Sequence, residues 1–271
     1  MKIGVITNEK RVKDKQCVEE LFKLLKAENF DVVEIPETES ADEILPALDV
    51  VLVLGGDGAI LHAALRVAKT GAKVVGINYG TLGFLAEFER DEAAQAVELI
   101  KNLKKGECTV LHRTILEIAV KGKTYYALNE VSFQRDHANI QPREPQMLSV
   151  QVQVGKENAT FTGDGVLLST PTGSTAYSLS AGGAILSPQV PVFMLTPICA
   201  FSFNSRPIVF PDTDVFEVKI TRGNGIVSAD GKVLERIDEQ DEIIVKKAPF
   251  SVDFPMNNDS CLLTKIKNKL K

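Results

Sequence analysis

The stretch "DVVLVLGGDGAILHAALRVAKT", residues 49–70, decides the fold. Residues 49–54, apolar after Asp49, form a run of the kind a strand makes when both its faces are covered. Gly55-Gly56-Asp57-Gly58 follows, and residues 59–70 then place apolar side chains at helical spacing. A buried strand, a glycine loop and a helix in succession form the repeating unit of a parallel sheet with crossover helices.

The same alternation continues on both sides. "KIGVI" (2–6), "DVVEI" (31–35) and "KVVGIN" (73–78) read as strands, and 15–30 and 90–106 as helices, the second ended by Gly106. From about residue 109 the pattern changes to period two. "TILEIAV", "LSVQVQV", "FEVKI" and "EIIVKKA" are among the runs, separated by turn residues such as Gly223-Asn224-Gly225 and Asp230-Gly231. The expected fold is therefore a Rossmann-like α/β N-terminal domain with a parallel sheet (1–108) and a mostly β C-terminal domain (109–250). Residues 251–271 are expected to return to the first domain. The polar, proline-containing segment 136–146 reads as a mobile loop.

Composition excludes several classes of function. With 271 residues, 44% hydrophobic and 25% charged, the chain has the profile of a soluble globular protein. A net charge of −5 provides no footprint for nucleic acid or anionic membrane. The basic tail "KIKNKLK" (265–271) is the local exception and reads as a solvated helix end. Cys17, Cys108, Cys199 and Cys261 show no metal-ligand or disulfide spacing, so reduced thiols are expected. The start "MKIGVITN" has strand character rather than that of a signal sequence, and no apolar run reaches the ~18 residues of a membrane span. A cytoplasmic protein is expected.

The chemistry turns on an acid inside a glycine loop. Neither G-x-x-x-x-G-K-[ST] nor a junctional G-x-G-x-x-G is present. The glycines of 55–58 give a ligand close access to the backbone, where open α/β sheets bind ligands. Asp57 would repel a phosphate, yet the amides of a helix N-terminus stabilise its charge. Phosphoryl transfer resolves the conflict. Its transition state is loose and the hydroxyl proton leaves late, so an aspartate can orient the acceptor hydroxyl and take its proton. The alternative is that Asp57 only N-caps a helix starting at Ala59.

A second stretch, "GDGVLLSTPTGSTAYSLSAGG" (163–183), concentrates Ser169, Thr170, Thr172, Ser174, Thr175, Tyr177, Ser178 and Ser180. Apolar residues bracket it on both sides, unlike a low-complexity linker. Small residues let a flat ring approach the backbone, hydroxyls bond sugar and amide groups, and Tyr177 can stack on a base. "LNEV" adds Asn129 and Glu130 at the end of a β run. Strand neighbours point to opposite faces, so both reach one ligand only if the strand ends there.

These blocks, together with "GINYGTLGFLAEF" (76–88) and "LTPICAFSFNSRPIVFP" (195–211), make the chain resemble the NAD kinase family over nearly its whole length. The Ser/Thr block is highly specific, whereas "GGDG" alone also looks like diacylglycerol kinases and phosphofructokinases. The resemblance implies phosphoryl transfer from ATP, or also polyphosphate, to the 2′-hydroxyl of the adenosine ribose of NAD. Asp57 would be the proton acceptor, with Gly58 beside it in the binding loop. His62 matches a basic or hydrogen-bonding position five residues on, with a plain helix-surface histidine as the alternative. Asn129, Glu130, Thr172, Thr175, Ala176, Tyr177 and Ser180 match dinucleotide-holding positions, with Ser178, Leu179 and Cys199 completing the candidate set. Asp164 matches a residue that reaches dinucleotide across a subunit contact, and Phe84 matches a pocket-lining aromatic or a core position.

Two departures stand out. Ala59 replaces the family's usual threonine, and Thr162 stands where some members carry arginine. No basic residue in "GGDGA" neutralises a triphosphate, so bound Mg²⁺ is expected. The resemblance also implies a homodimer or homotetramer. The competing functions are a non-catalytic dinucleotide-binding sensor and a lipid or sugar kinase sharing the loop.

Overall fold

Apolar runs spread along the chain's first third become strands of one parallel sheet. In chain order they and their helices are β1 (Lys2–Thr7), α1 (Lys15–Ala27), β2 (Asp31–Ile35), β3 (Val50–Gly55), α2 (Asp57–Val67), β4 (Lys73–Asn78), β5 (Phe88–Glu89) and α3 (Ala93–Lys105). The computed structural model describes residues 1–80, 83–136, 147–202, 205–257 and 262–269. The sheet order is β2-β1-β3-β4-β5, with every pair parallel. Val50 to Leu54 are wholly buried, as a central strand covered on both faces requires.

The helices turn one apolar stripe to the core: Leu21 and Leu25 on α1, and Ala96, Val97, Leu99 and Ile100 on α3. Asp14 caps α1 by accepting the Gln16 amide, and Gly106 ends α3 in the left-handed region at φ 77°. Some bounds differ from the sequence reading. α1 stops at Ala27, before Asn29 adopts φ 57°. The helix expected from residue 90 begins as a short 3₁₀ turn over Arg90–Glu92, with a Glu89/Glu92 capping box.

The remaining strands are mostly antiparallel: β6 (Thr109–Val120), β7 (Lys123–Ala127), β8 (Glu130–Arg135), β9 (Leu148–Val154), β10 (Glu157–Gly163) and β11 (Gly165–Ser169). After the short helix α4 (Tyr177–Ser180) come β12 (Val192–Ile198), β13 (Ile208–Pro211), β14 (Phe216–Arg222), β15 (Gly225–Ala229), β16 (Lys232–Ile237) and β17 (Glu242–Met256). Helix α5 (Leu262–Lys269) follows. They build two six-stranded sheets, ordered β10-β9-β14-β17-β6-β7 and β13-β12-β11-β8-β15-β16. Alternate residues of both sheets share one core, including Leu116, Ile118, Val131, Phe133, Val150 and Phe193. Phe216 meets Phe193 and Phe210 edge to face, at centroid separations of 6.2 and 5.3 Å.

Two compact units result: Met1–Arg113 with Phe250–Lys271, and Thr114–Pro249. Residues 137–146, most of the stretch read as a loop, lie outside the described residues. Asp136 is described; it is buried and accepts a bond from Arg236 Nε at 3.0 Å. Cys17, Cys108 and Cys199 are free thiols, and Cys261 lies outside the described residues. Among the described residues no helix is long and apolar enough to cross a membrane.

Candidate active site

The parallel sheet places the glycine loop by its topology. Strand order reverses between β1 and β3, so the loops leaving their carboxyl ends part around a crevice. The Asn8 amide, just past β1, donates to Leu54 O at 2.9 Å. A Cβ on Gly55 would lie 3.2 Å from Asn8 Cβ and 2.8 Å from Ala59 Cβ, so only glycine lets the three segments meet. Ala59 therefore faces Gly55 at close range. Gly58 is exposed, and a Cβ there would meet nothing within 4 Å, so this side of the loop is open.

Asp57 does not cap its helix. α2 begins at Asp57, with Gly56 as N-cap and no side-chain cap bond. This corrects the N-cap alternative, which had the helix start at Ala59. The carboxylate turns instead to the "GTLGF" block, accepting the Phe84 amide at Oδ2 (2.8 Å) and the Leu85 amide at Oδ1 (3.1 Å). Gly83 makes this approach possible, because a Cβ there would overlap Oδ1 and lie 2.7 Å from Oδ2. Hydrogen bonds to a charged group contribute about 1.5–3 kcal/mol each, so two hold the acid firmly. Phe84 itself is only 8% exposed; toward the acid it contributes its amide.

Two arginines that the sequence reading passed over stand near this acid or its loop. A Cβ on Gly80 would overlap the Arg11 guanidinium, and one on Gly56 would lie 3.8 Å from its Cζ. Arg11 is exposed, so a cation sits beside the glycine loop from the segment after β1. Arg113 is buried, with its guanidinium 4.8 Å from the Phe254 ring centroid. Burial lowers it to about 10, while Glu87 and then Asp57 favour its charge, so it stays cationic at neutral pH. Neither arginine lies in a motif; only spatial proximity reveals them. His62 is half-buried on α2, about 140° around the axis from Asp57 by helical geometry.

In the other unit the "LNE" and "TPTGST" blocks pack backbone against backbone. Asp230, at φ 48° in the β15–β16 hairpin, accepts the amides of Leu128, Asn129 and Glu130 at 2.9, 2.8 and 3.1 Å. Thr170 Oγ1 donates to Leu128 O at 2.6 Å and accepts the Gly173 amide at 3.1 Å. A Cβ on Gly173 would overlap Asn129 O. Strand β8 starts at Glu130, so Asn129 lies just outside it and the pair escapes strict alternation.

Glu130 is buried, and its carboxylate receives the Tyr177 amide. Its Oε2 is buried with no hydrogen-bond partner among the described residues. Burial, helped by the Asp230 charge, pushes this carboxyl up to about 7. The Tyr177 hydroxyl accepts from Gln134 Nε2 at 2.9 Å, and burial raises it, with Cys199, Asp164 and Glu130 adding to the effect.

The structure thus gathers Glu130, Asp164, Tyr177 and Cys199, with Asn129 and Thr172 in the adjoining backbone. Asp164 Oδ1 pairs with Arg135 at 3.2 Å, and exposed Cys199 adopts φ 47°. The Thr162 hydroxyl bonds that of Ser149 at 2.9 Å. Thr175 Oγ1 donates to Thr172 O at 3.3 Å, Ala176 and Leu179 are half-buried, and Ser180 is exposed. Several hydroxyls of the block serve the fold. Ser178 is fully buried against Thr196 Oγ1 at 3.1 Å, and Ser174 donates to Pro171 O at 2.7 Å.

Residues 36–108 match the family model of the ATP-NAD kinase N-terminal domain, and residues 129–255 that of the ATP-NAD kinase C-terminal domain. The chain belongs to the NAD kinase family. An NAD kinase of Fusobacterium nucleatum is 32% identical, covering 100% of this chain and 97% of its own. One of Carboxydothermus hydrogenoformans is 36% identical over 93% and 90%. Among solved NAD kinase relatives, yeast NADH kinase complexed with NADH superposes with TM-score 0.83 at 26% identity, covering 100% of this chain and 87% of that one. An Archaeoglobus fulgidus NAD kinase in complex with ATP gives 0.79 at 27% identity, covering 99% of each chain.

Proposed function

We propose that this chain is an NAD kinase that transfers the γ-phosphoryl group of ATP to the 2′-hydroxyl of the adenosine ribose of NAD, releasing NADP and ADP. The observation that carries the reading is the Asp57 carboxylate, held by two amides at a glycine loop whose Gly58 side is open. A carboxylate offers about four acceptor positions, and the substrate hydroxyl would take one of them. As O2′ bonds to the γ-phosphorus and the bond to the bridging oxygen of ADP breaks, Asp57 takes the hydroxyl proton.

The Glu130 Oε2 atom supports a dinucleotide in the second unit. A buried carboxylate oxygen without a partner is costly, and a ribose hydroxyl is the donor that would satisfy it. Asn129, Thr172, Thr175 and Tyr177 would hold the rest of that nucleoside. The yeast relative was solved with NADH and the archaeal one with ATP, the ligand classes this reading assigns. Arg11 is the cation we assign to the donor phosphates, answering the shortage of basic residues in "GGDGA".

Mg²⁺ fits as an ion carried by the donor rather than caged by protein. Among the described residues no group of three or more His, Cys, Asp or Glu side chains is arranged to hold a metal. Mg²⁺ characteristically binds substrate phosphates, waters and one or two carboxylates, and Asp57 is the acid of the loop. When bound, it would neutralise phosphate charge. A homodimer or homotetramer, on the resemblance of the sequence blocks, and a cytoplasmic location, on the cysteine pattern, complete the proposal.

The test is NADP formation from NAD and Mg²⁺, with ATP in one reaction and polyphosphate in another. Product with ATP is expected. NAD binding without product from either donor would overturn the kinase reading in favour of a dinucleotide sensor. Phosphorylation of a sugar or diacylglycerol in place of NAD would favour the other kinases of this loop type.

A further inference from the structure

The basic tail 265–271 reads from sequence as solvated, but its first lysine is not. The Lys265 side chain on α5 is only 20% exposed and that of its partner, Glu87, 6%. Lys265 Nζ donates to Glu87 Oε2 at 2.8 Å and to Ala86 O at 3.2 Å. The other oxygen, Glu87 Oε1, accepts the Asn257 amide at 2.8 Å. Two contacts from the chain's last segment thus close on one carboxylate.

That carboxylate belongs to the segment holding the catalytic aspartate. Phe84 and Leu85, whose amides grip Asp57, lie three and two residues before Glu87. The Glu87 amide donates to Gly76 O on β4 at 3.1 Å, and a Cβ on Gly76 would lie 3.3 Å from Ala86 Cα. Segment 83–87 is therefore bound to β4, to Asp57 and to the C-terminal chain. Arg113, stacked on Phe254 of β17, adds a buried positive charge that Glu87 and Asp57 both favour.

We propose that Lys265, acting through Glu87, is a positioning residue for Asp57. The C-terminal helix fixes the loop whose amides aim the catalytic carboxylate. A buried ion pair is weak evidence for stability, so the role we assign to this one is to hold a single geometry of the loop. Misplacement of a reacting group by ~1 Å costs as much as 100-fold in rate. The inference rests on the proposed kinase activity.

Steady-state kinetics with NAD and ATP test it on the full chain. Lys265→Met is expected to lower kcat about 10- to 100-fold, with KM for both substrates within about twofold of wild type. Lys265→Arg, which keeps the charge and a donor, should recover most of the loss. Glu87→Gln keeps the side-chain volume and an acceptor for Asn257, so it gives the same comparison if Lys265→Met fails to fold by near-ultraviolet circular dichroism. The double variant should be no slower than the slower single one, as expected for residues acting as a unit. An unchanged kcat in a folded Lys265→Met, or a loss that Lys265→Arg does not recover, would overturn the positioning role while leaving the kinase intact. A wild-type chain that makes no NADP would overturn both.

Discussion

Gly83 lies so close to Asp57 that a Cβ on the glycine would overlap the acid's Oδ1. Two blocks 26 residues apart in the chain thus form one device: a loop acid, and a bare backbone that receives it. Gly83→Ala must push the carboxylate off the Phe84 and Leu85 amides. Turnover is expected to fall by about 100-fold or more, with NAD affinity within roughly threefold. Rapid-quench NADP formation and calorimetric NAD binding check both halves. Normal turnover in this variant would show that the amide grip is irrelevant to catalysis.

Asp57→Asn separates proton acceptance from shape. The amide keeps the volume but turns an NH₂ toward one of the two backbone donors, at a cost of about 1–3 kcal/mol. Turnover should drop by about 10²- to 10⁴-fold, the usual contribution of general-base catalysis. NAD binding, measured by calorimetry, should stay near the wild-type value. Near-normal turnover would exclude Asp57 as the proton acceptor.

Arg11→Gln should act on the donor alone. Its guanidinium stands beside Gly56 and Gly80, so KM for ATP is expected to rise about tenfold, with little change in KM for NAD. The loss should shrink as salt rises, because an exposed charge is screened. Equal effects on both substrates would disconnect Arg11 from the phosphates.

Glu130 makes stability depend on pH. Its carboxyl sits at about 7 in the folded chain, against an ordinary 4.5. The folded state therefore holds the proton more tightly than the unfolded one. Stability from this residue is greatest below 4.5, declines as pH rises from 4.5 to about 7, and is flat above. The span is on the order of 3 kcal/mol, and Asp230 shifts in the same direction. Urea melts from pH 4.5 to 8 should show the decline, and Glu130→Gln should flatten much of it. A decline unaltered in that variant would place its origin elsewhere.

Local pattern carried much of this far. Strand β3 announces itself in "VVLVLG" because both its faces are buried, and its short length and flanking glycines favour a strand over a buried helix segment. The antiparallel region is legible for the opposite reason: one face of each strand meets the core, so residues alternate. "GGDG", "LNE" and "TPTGST" could be found because each is a contiguous string. Helix ends were read less well, since capping by Glu89 and Glu92 or a left-handed Asn29 depends on local geometry that periodicity does not encode.

What the chain's order of residues determined alone was its two kinds of sheet and its candidate acid, since periodicity and glycine placement are local properties. What Asp57 touches was decided by tertiary structure. Its partners, Phe84 and Leu85, are ordinary core residues by type, and a backbone amide leaves no mark in a sequence. Arg11, Arg113 and Lys265 were equally hidden, because a lone basic residue looks solvated until folding shows what lies beside it. Folding brings Asp57, Glu87 and Lys265 into one unit from across more than 200 residues, and hydrogen-bond geometry over such separations exists only in three dimensions.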